Sequence, residues 1–159
     1  MHYRVGNLRQ DQVRQAFSLV QAAHPRLSFE AWRRYARPRV ETGVRMPRRG
    51  ILCLEDRHGC ILALFSFRAE AGLDEDRVLH CDYLAAVDLL NPREALGALI
   101  QDFQRCAQGA GCHTIRVAAP RAHGTLSAAL VDHGYRVDWV GHALEMDQDI
   151  GARPRLQCI

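Results

Sequence analysis

The apolar positions near the start of the chain follow first the period of a strand and then that of a helix. The stretch "HYRVGNL" (2–8) alternates apolar and polar residues, as a short half-buried strand does. A helical period follows, carried by Val13, Ala16, Phe17 and Val20. This pattern predicts a helix that Asp11 caps and that Pro25 ends.

A second helix and a long loop are predicted next. Ser28 can cap "FEAWRRYAR" (29–37), because its hydroxyl can accept a hydrogen bond from a free N–H of the first turn. Pro38 disfavours the helical conformation of the residue before it, so the helix is predicted to stop there. The segment "PRVETGVRMPRRG" (38–50) shows no period and is predicted to be a loop.

The pattern then changes to that of strands. "GILCLED" (50–56) and "CILALFSFRAE" (60–70) flank the turn "DRHG" (56–59), which is a hairpin signal. "RVLHCDYLAAV" (77–87) is apolar enough to be a core strand that is buried on both faces. Together these segments predict a three-strand meander.

Further elements follow the core strand. A helix is predicted from Pro92 to "GAG" (109–111), with an apolar stripe formed by Leu96, Leu99, Phe103 and Cys106. After it the patterns predict a fifth strand, a fourth helix and a closing hairpin turned at Gly141: "HTIRVAA" (113–119), "GTLSAALVDHG" (124–134), "YRVDWV" (135–140) and "HALEMDQ" (142–148). The tail from 150 to 159 has no pattern and is predicted to be loose.

This order predicts an α+β fold. The strand–helix–strand crossover in the second half requires one parallel pair inside a mostly antiparallel sheet of about seven strands, flanked by four helices. With 159 residues the chain is long enough for one domain with a real core. We assign residues 1–149 to that domain.

Composition and charge exclude several classes of function. All 21 basic residues are arginine, so the chain has no lysine for a Schiff base or a P-loop. The formal net charge of +3 is too mild to indicate a nucleic-acid-binding protein by itself. No stretch is apolar enough for a signal peptide or a membrane span, which predicts a cytoplasmic protein whose cysteines are thiols. Cys106, Cys112 and His113 do not have a common zinc-ligand spacing, so no metal is expected.

The order and length of the elements resemble those of the GNAT superfamily, the acyl-CoA-dependent N-acetyltransferases. The resemblance covers about residues 1–149 and rests on two helices after the first strand, the three-strand meander and a core strand that feeds the third helix. The Gly-aromatic sequence in "HGYRVDWV" and the last strand with "ALEMD" are also similar. The resemblance implies a GNAT-like fold and transfer of an acyl group from acetyl-CoA, or another acyl-CoA, to an amine that attacks directly.

The pyrophosphate-binding turn of the resembled family is degenerate in this chain. Its form is [Arg/Gln]-x-x-Gly-x-[Gly/Ala], and it falls on "PREALG" (92–97), where Pro92 and Ala95 depart from it and Gly97 matches. Free N–H groups and the helix dipole favour an anion at such a helix start. The resemblance implies that coenzyme A contacts the end of the core strand and the first turns of the helix, at Ala85, Ala86, Val87, Arg93, Ala95, Leu96, Gly97 and Ala98.

The same junction also predicts a helix that caps itself. Asn91 suits the N-cap, Pro92 the first helical position, and Glu94 the third position of a capping box. Glu94 would place negative charge where phosphates bind, whereas the Arg93 guanidinium could bind a phosphate through two hydrogen bonds. A structural helix start and a phosphate cradle are therefore both open.

The core strand supplies the candidate bases, His80 and Asp82. Alternation puts both on one face, with Cys81 and Tyr83 on the other. A carboxylate on a largely buried strand needs a partner or a raised pKa. Asp82 is therefore predicted to be either the base that accepts the ammonium proton or one half of an ion pair with an arginine. Cys81 as an acyl-carrying nucleophile is a weaker alternative, because no activating base is visible beside it.

The acid for the leaving thiolate is less well defined. The resemblance implies a tyrosine on the fourth helix, but Leu130 occupies its position. Tyr135 belongs to the Gly-aromatic pair and suits the core. His123, at the start of the fourth helix, could contact coenzyme A or donate a proton, and it could equally cap the helix or lie on the surface.

An arginine-rich segment is the last candidate feature. Seven arginines lie from Arg33 to Arg49, with Glu41 as the one acid among them. In the resembled fold this segment borders the acceptor groove, where it could attract an anionic acceptor. Beside Trp32 and Tyr35 it could also bind nucleic acid, although a solvated basic segment is the more common outcome.

Two functions follow. The first is an acyl-CoA-dependent N-acyltransferase acting on a small-molecule or peptide amine. The alternative is a GNAT-like domain without transferase activity that acts as a binding or regulatory module; coenzyme A binding separates the two. The acceptor, the acyl chain and the oligomeric state are open, a homodimer included, and neither membrane nor nucleic acid is expected as a partner.

Overall fold

The secondary structure follows the predicted order. The computed structural model describes residues 3–40, 48–73, 76–87, 92–118 and 124–137, apart from the side chains of 92 and 93. These residues form five strands and four helices: β1 Arg4–Asn7, α1 Val13–Ala23, α2 Phe29–Val40, β2 Arg49–Glu55, β3 Ile61–Ala71, β4 Arg77–Ala86, α3 Pro92–Ala110, β5 Thr114–Ala118 and α4 Gly124–Asp132. The closing hairpin with Gly141 and the tail lie outside the described residues.

The five strands form one mixed sheet in the order β1-β2-β3-β4-β5. The first three pairings are antiparallel, and β4 pairs with β5 in parallel. Helix α3 is the crossover that parallel neighbours require. The α+β architecture with one parallel pair and four helices is therefore confirmed, and five of the about seven predicted strands fall within the described residues.

Two helical layers cover the two faces of the sheet. Helices α1 and α2 cover one face, where Val20, Trp32 and Ala36 pack with Ile51, Leu64 and Ala85. The indole N–H of Trp32 donates to the Val13 carbonyl at 2.8 Å, which holds α2 against α1. Helices α3 and α4 cover the opposite face, where Phe103 and Leu126 pack with Phe65, Leu79 and Cys81. Because side chains alternate along a strand, neighbouring residues of β4 meet different layers.

The start of α1 differs from the prediction, whereas the start of α2 confirms it. Ser28 Oγ accepts a hydrogen bond from the Ala31 N–H at 3.2 Å, as an N-cap does. Asp11 does not cap α1. It lies inside a 3₁₀ turn that precedes the helix, and its carboxylate pairs with Arg9 at 3.3 Å. The longer Gln12 side chain reaches back instead and accepts the Arg9 N–H at 3.0 Å.

Helix α2 does not stop before Pro38, contrary to the prediction, but continues to Val40. Pro38 lies in the last turn, where its missing N–H removes only one helical hydrogen bond. Arg39 stabilises this turn, because Nη1 donates to the Tyr35 carbonyl at 2.7 Å and the guanidinium lies 3.7 Å from the centre of the Tyr35 ring. The predicted loop is shorter at both ends, since β2 begins at Arg49.

One carboxylate of α3 lies among the core residues. Asp102 is 7% exposed, and its Oδ2 has no hydrogen-bond partner within the described part of the chain. Arg105, one turn further along, pairs with Oδ1. Burial raises the pKa of Asp102, and the charge of Arg105 offsets this only in part. The helix therefore carries a negative charge that its surroundings compensate incompletely.

We expect Asp102→Asn to change how stability depends on pH. Folding raises the pKa of Asp102 above 3.8, the value of a free aspartate. Ionised Asp102 therefore costs stability at neutral pH, and the cost disappears as the pH falls through the folded and then the unfolded pKa. The free energy of unfolding of the wild type, measured with urea, should rise relative to that of the variant between about pH 7 and pH 4.

Asp76→Asn, which removes an exposed carboxylate, is the matched control. A wild-type-to-Asp102→Asn difference that stays constant over this pH range would show that Asp102 carries no such cost.

Candidate active site

Within the described residues, the edge of β4 that faces β5 has no strand partner over its last four residues. The described part of β5 pairs with β4 only from Val78, opposite Thr114, to Asp82, opposite Ala118. Strand β4 continues to Ala86, and there its other edge still pairs with β3. We call residues 83–86 the open edge of β4. Backbone N–H and C=O groups along such an edge can hydrogen-bond an extended ligand, as an added strand would.

A β-bulge lies in the middle of the open edge. Leu64 is opposite Ala85 and Phe65 is opposite Tyr83, so Leu84 is the extra residue. A bulge bends its strand and increases the local twist. The imidazole Nε2 of His24, just after α1, contacts the Leu84 carbonyl at 2.9 Å. Sequence patterns indicated neither the bulge nor the role of His24.

The three strand residues predicted to contact coenzyme A have different surroundings. The Ala85 side chain is buried beneath α1 and α2, so only its backbone is available. Val87 is 43% exposed, and its N–H donates to the Leu62 carbonyl at 2.9 Å. The backbone of Ala86 forms a hydrogen bond with the Tyr83 phenol. Burial raises the pKa of Tyr83, and this hydrogen bond opposes that effect. An incoming ligand that needs the Ala86 N–H must displace this phenol.

The first turns of α3 pack on the sheet face that includes Cys81. Ala95 is fully buried and Leu96 is 8% exposed, so both side chains pack in the core and are not presented to a ligand. Ala95, which replaces a glycine of the family turn, therefore places its methyl group in the core. Gly97 and Ala98 are half-buried, and Glu94 is exposed. Asn91 and the Arg93 side chain lie outside the described residues.

Gly97 faces the end of α4. A Cβ at Gly97 would lie 3.9 Å from His133 Nε2, which is ordinary van der Waals contact. The other ring nitrogen of His133, Nδ1, contacts the Ala129 carbonyl at 2.8 Å and orients the imidazole. Packing therefore does not require glycine at this position. His133 is a side chain near the predicted cradle that sequence reasoning missed.

His80 and Asp82 share the opposite face, the one that carries α1 and α2, as alternation predicted. Strand β4 is not buried on both faces along its whole length, which corrects the prediction: the side chains of Asp82 and His80 are 40% and 26% exposed. Helices α1 and α2 cover the Ala85 end of this face, whereas polar side chains surround these two residues. Asp82 is also the last β4 residue that pairs with β5, so it borders the open edge of β4.

The ion pair predicted as the alternative role of Asp82 is present. Arg68 Nη1 lies 2.5 Å from Asp82 Oδ2, and Arg68 Nε lies 2.8 Å from Glu70 Oε1. His80 Nε2 is 3.6 Å from Glu70 Oε2, which is too long for a hydrogen bond. Within the described residues, Asp82 Oδ1 has no hydrogen-bond donor, and the side chain is 40% exposed.

The described residues present no tyrosine to the open edge from α4. Leu130 occupies the expected position and packs in the core at 9% exposure. The Tyr135 hydroxyl is buried without a partner among the described residues, and burial together with nearby Cys81 raises its pKa to about 12. His123 lies outside the described residues. Tyr135 is therefore a core residue, as its place in the Gly-aromatic pair indicated.

The thiol of Cys81 is shielded from solvent. The residue is fully buried on the α3 side of β4, and burial raises its pKa far above that of a free thiol. Within the described residues no three His, Cys, Asp or Glu side chains are grouped so that they could hold a metal. No helix in the described ranges is long and apolar enough to cross a membrane.

Solved structures of several acetyltransferases and of a transcriptional regulator share this fold. A glucosamine-6-phosphate N-acetyltransferase from Arabidopsis thaliana superimposes with a TM-score of 0.68 at 16% identity, covering 92% of this chain and 100% of that one. An aminoglycoside N-acetyltransferase in complex with CoA gives a TM-score of 0.71 at 10% identity, with 93% and 95% covered. A transcriptional regulator from Bacillus halodurans gives a TM-score of 0.73 at 9% identity, with 91% and 100% covered.

No protein-family model matches the chain. No curated protein matches it either. At these identities the structural likenesses show the fold, and the fold is the GNAT fold that the order of elements resembled.

We expect Cys81 to resist alkylation in the folded protein. Its burial and raised pKa leave almost no accessible thiolate, whereas Cys60 in the β2–β3 turn is exposed. Iodoacetamide at about pH 8 followed by peptide mass spectrometry should modify Cys60 and leave Cys81 free. Alkylation of Cys81 as fast as Cys60 would revive Cys81 as a nucleophile.

Proposed function

We propose that this GNAT-fold chain is an acyl-CoA-dependent N-acyltransferase that uses acetyl-CoA and an amine acceptor. The observation that carries the proposal is the open edge of β4, which connects the two faces of the sheet. The N-terminus of α3 and Gly97 lie on one side of this opening, and Asp82 and His80 lie on the other. Acetyltransferases among the similar structures, one of them in complex with CoA, support the same assignment.

In this proposal the coenzyme lies on the α3 side and its thioester enters the opening beside β4. Backbone groups of Ala85, Ala86 and Val87 hold the pantetheine as an added strand would, and one N–H polarises the thioester carbonyl. The amine binds on the Asp82 side and attacks the carbonyl carbon. The C–S bond breaks, the coenzyme leaves as a thiolate, and the amide forms.

Asp82 or His80 accepts the proton that the attacking amine must lose. Asp82 is the stronger candidate because it borders the opening and has one carboxylate oxygen without a donor. Arg68, which binds the other oxygen, orients the carboxylate. His80 is the second candidate on the same face. With Leu130 in place of a tyrosine, we propose that the leaving thiolate takes its proton from solvent or from His123.

The coenzyme cradle in this proposal depends on the start of α3. The helix dipole and the free N–H groups of the first turn favour the pyrophosphate, and Arg93 adds a positive charge. Gly97 leaves room between α3 and His133, and the neighbouring Leu96 and Ala98 contribute backbone at the same turn. Glu94 opposes binding, because its exposed carboxylate lies in the first turn.

A second candidate function is a binding or regulatory module without transferase activity. Exposed Glu94 at the helix start is the observation that favours it, since this charge repels phosphate. A transcriptional regulator among the similar structures is consistent with that use of the fold. In both cases we propose a single domain over residues 1–149 that works in the cytoplasm.

We expect acetyl-CoA to stabilise the protein. A ligand at one hundred times its dissociation constant adds ~2.7 kcal/mol to the free energy of unfolding, which raises the melting temperature of a domain this size by roughly 5–10 °C. Desulfo-CoA should act similarly and inorganic phosphate should not. If millimolar acetyl-CoA does not raise the melting temperature, acyl transfer is contradicted and the binding or regulatory module is favoured.

Gly97→Ala should raise the stability of the free protein and weaken coenzyme binding. A methyl group at Gly97 meets only ordinary contact, so the free protein should gain about 0.5–1 kcal/mol from the better helix former. If the coenzyme passes Gly97, the same methyl group should reduce the acetyl-CoA shift. Gly109→Ala, at an exposed position further along α3, is the control for helix propensity. An undiminished acetyl-CoA shift in Gly97→Ala would remove Gly97 from the cradle.

Substitution of the candidate bases should lower turnover without abolishing coenzyme binding. We expect Asp82→Asn to reduce kcat about 100-fold, the usual loss when a general base is removed, with the acetyl-CoA shift unchanged. Measuring CoA release over an amine panel with Asp82→Asn and His80→Gln in parallel identifies which residue is the base. Glu70→Gln is the matched control, because Glu70 also pairs with Arg68 but lies further from the opening. An equal loss in Glu70→Gln would indicate a structural role for the network.

A further inference from the structure

Four basic or titratable side chains form a row across the sheet beside the candidate bases. Arg49 on β2 is directly opposite Arg68 on β3, Arg68 is opposite His80 on β4, and His80 is opposite Arg116 on β5. Directly opposed residues in a sheet share a face. We call these four residues the basic row. It lies on the Asp82 face, away from α3.

The charges of the basic row are compensated unevenly. Neighbouring strands are about 4.8 Å apart, so like charges that face each other across them are destabilising unless an acid intervenes. The two acids on this part of the face, Glu70 and Asp82, both bind Arg68. Arg49 is exposed and has no ion pair within the described residues. The row therefore keeps an uncompensated positive charge at its β2 end.

The basic row also borders the last turn of α2. A Cβ at Gly50, next to Arg49, would lie 3.7 Å from the Arg39 carbonyl and 2.7 Å from the Phe67 ring. The end of α2 at Arg39 thus lies close to β2 beside the basic row. Arg39 and Arg49 belong to the arginine-rich segment that the sequence analysis singled out. Most of that segment's described part is therefore helix and strand, which gives its charges fixed positions.

We propose that the acceptor amine carries an anionic group, a carboxylate or a phosphate, that Arg49 and Arg68 bind. This inference rests on the proposed acyl transfer and names its substrate class. An arginine guanidinium binds either anion through paired hydrogen bonds. The bound anion neutralises the positive charge that Arg49 now presents to solvent.

The positions of the row and the base limit the size of the acceptor. Arg68 already contacts Asp82, and Arg49 is only two strands, about 10 Å, from the strand that carries Asp82. An anion between Arg49 and Arg68 and an amine at Asp82 are then separated by a few bonds. Amino acids and phosphorylated amino alcohols have this spacing.

The test uses pairs of amines that differ only in the anion. Phenylalanine is compared with phenethylamine, and phosphoethanolamine with ethanolamine, with acetyl-CoA as donor. We expect kcat/KM for at least one anionic member to exceed that of its neutral partner by about tenfold or more. Arg49→Gln should lose this preference while its kcat/KM for the neutral amines stays the same. Arg57→Gln, at the opposite end of β2, is the matched control and should keep the preference. The pair that shows the preference identifies the anion as carboxylate or phosphate.

Binding of the same amines, measured by calorimetry without acetyl-CoA, separates the two hypotheses. Turnover of neutral and anionic amines at equal kcat/KM overturns the anion site and leaves acyl transfer standing. Selective binding of the anionic member that Arg49→Gln abolishes, without turnover of any amine, supports the anion site and overturns acyl transfer. If neither selective binding nor turnover is observed, both the anion site and acyl transfer are overturned.

Discussion

The parallel pairing of β4 and β5, which spans five residue pairs in the described part of the chain, is the constraint on which the rest of the site depends. A backbone that leaves its neighbour must find other hydrogen-bond partners or present its N–H and C=O groups to a ligand. Strand β4 finds such partners at two points, because His24 contacts the Leu84 carbonyl and the Ala86 backbone hydrogen-bonds the Tyr83 phenol. The bulge at Leu84 leaves the pairing with β3 in place on both sides of it.

The two faces of the sheet beside this opening differ in polarity. The α3 face is apolar up to the opening, with Cys81 and Tyr135 buried and their pKa values raised by burial. The opposite face has apolar packing under α1 and α2 at one end and charged side chains at the other. In the proposed acyl transfer, the thioester lies on the apolar side of the sheet and the acceptor on the charged side.

Arg68 links the parts of the charged face. It binds Asp82 and Glu70 from β3, so it orients the candidate base and pairs with both acids at this end of the face. The uncompensated charge then falls on Arg49, which stands two strands from Asp82. Arg68 holds both carboxylates, and Arg49 is left with its positive charge. This division of charge sets the specificity of the face, whether its ligand is an anionic acceptor or a regulatory partner.

Within the described residues, the sequence by itself determined the order of elements and the core stripe of α3, because the hydrophobic period is a local property. It placed His80 and Asp82 together and indicated that Asp82 needs a partner. Only the tertiary structure decided that this partner is Arg68, fourteen residues earlier. It likewise decided the bulge at Leu84, because cross-strand register joins residues that are distant in the chain.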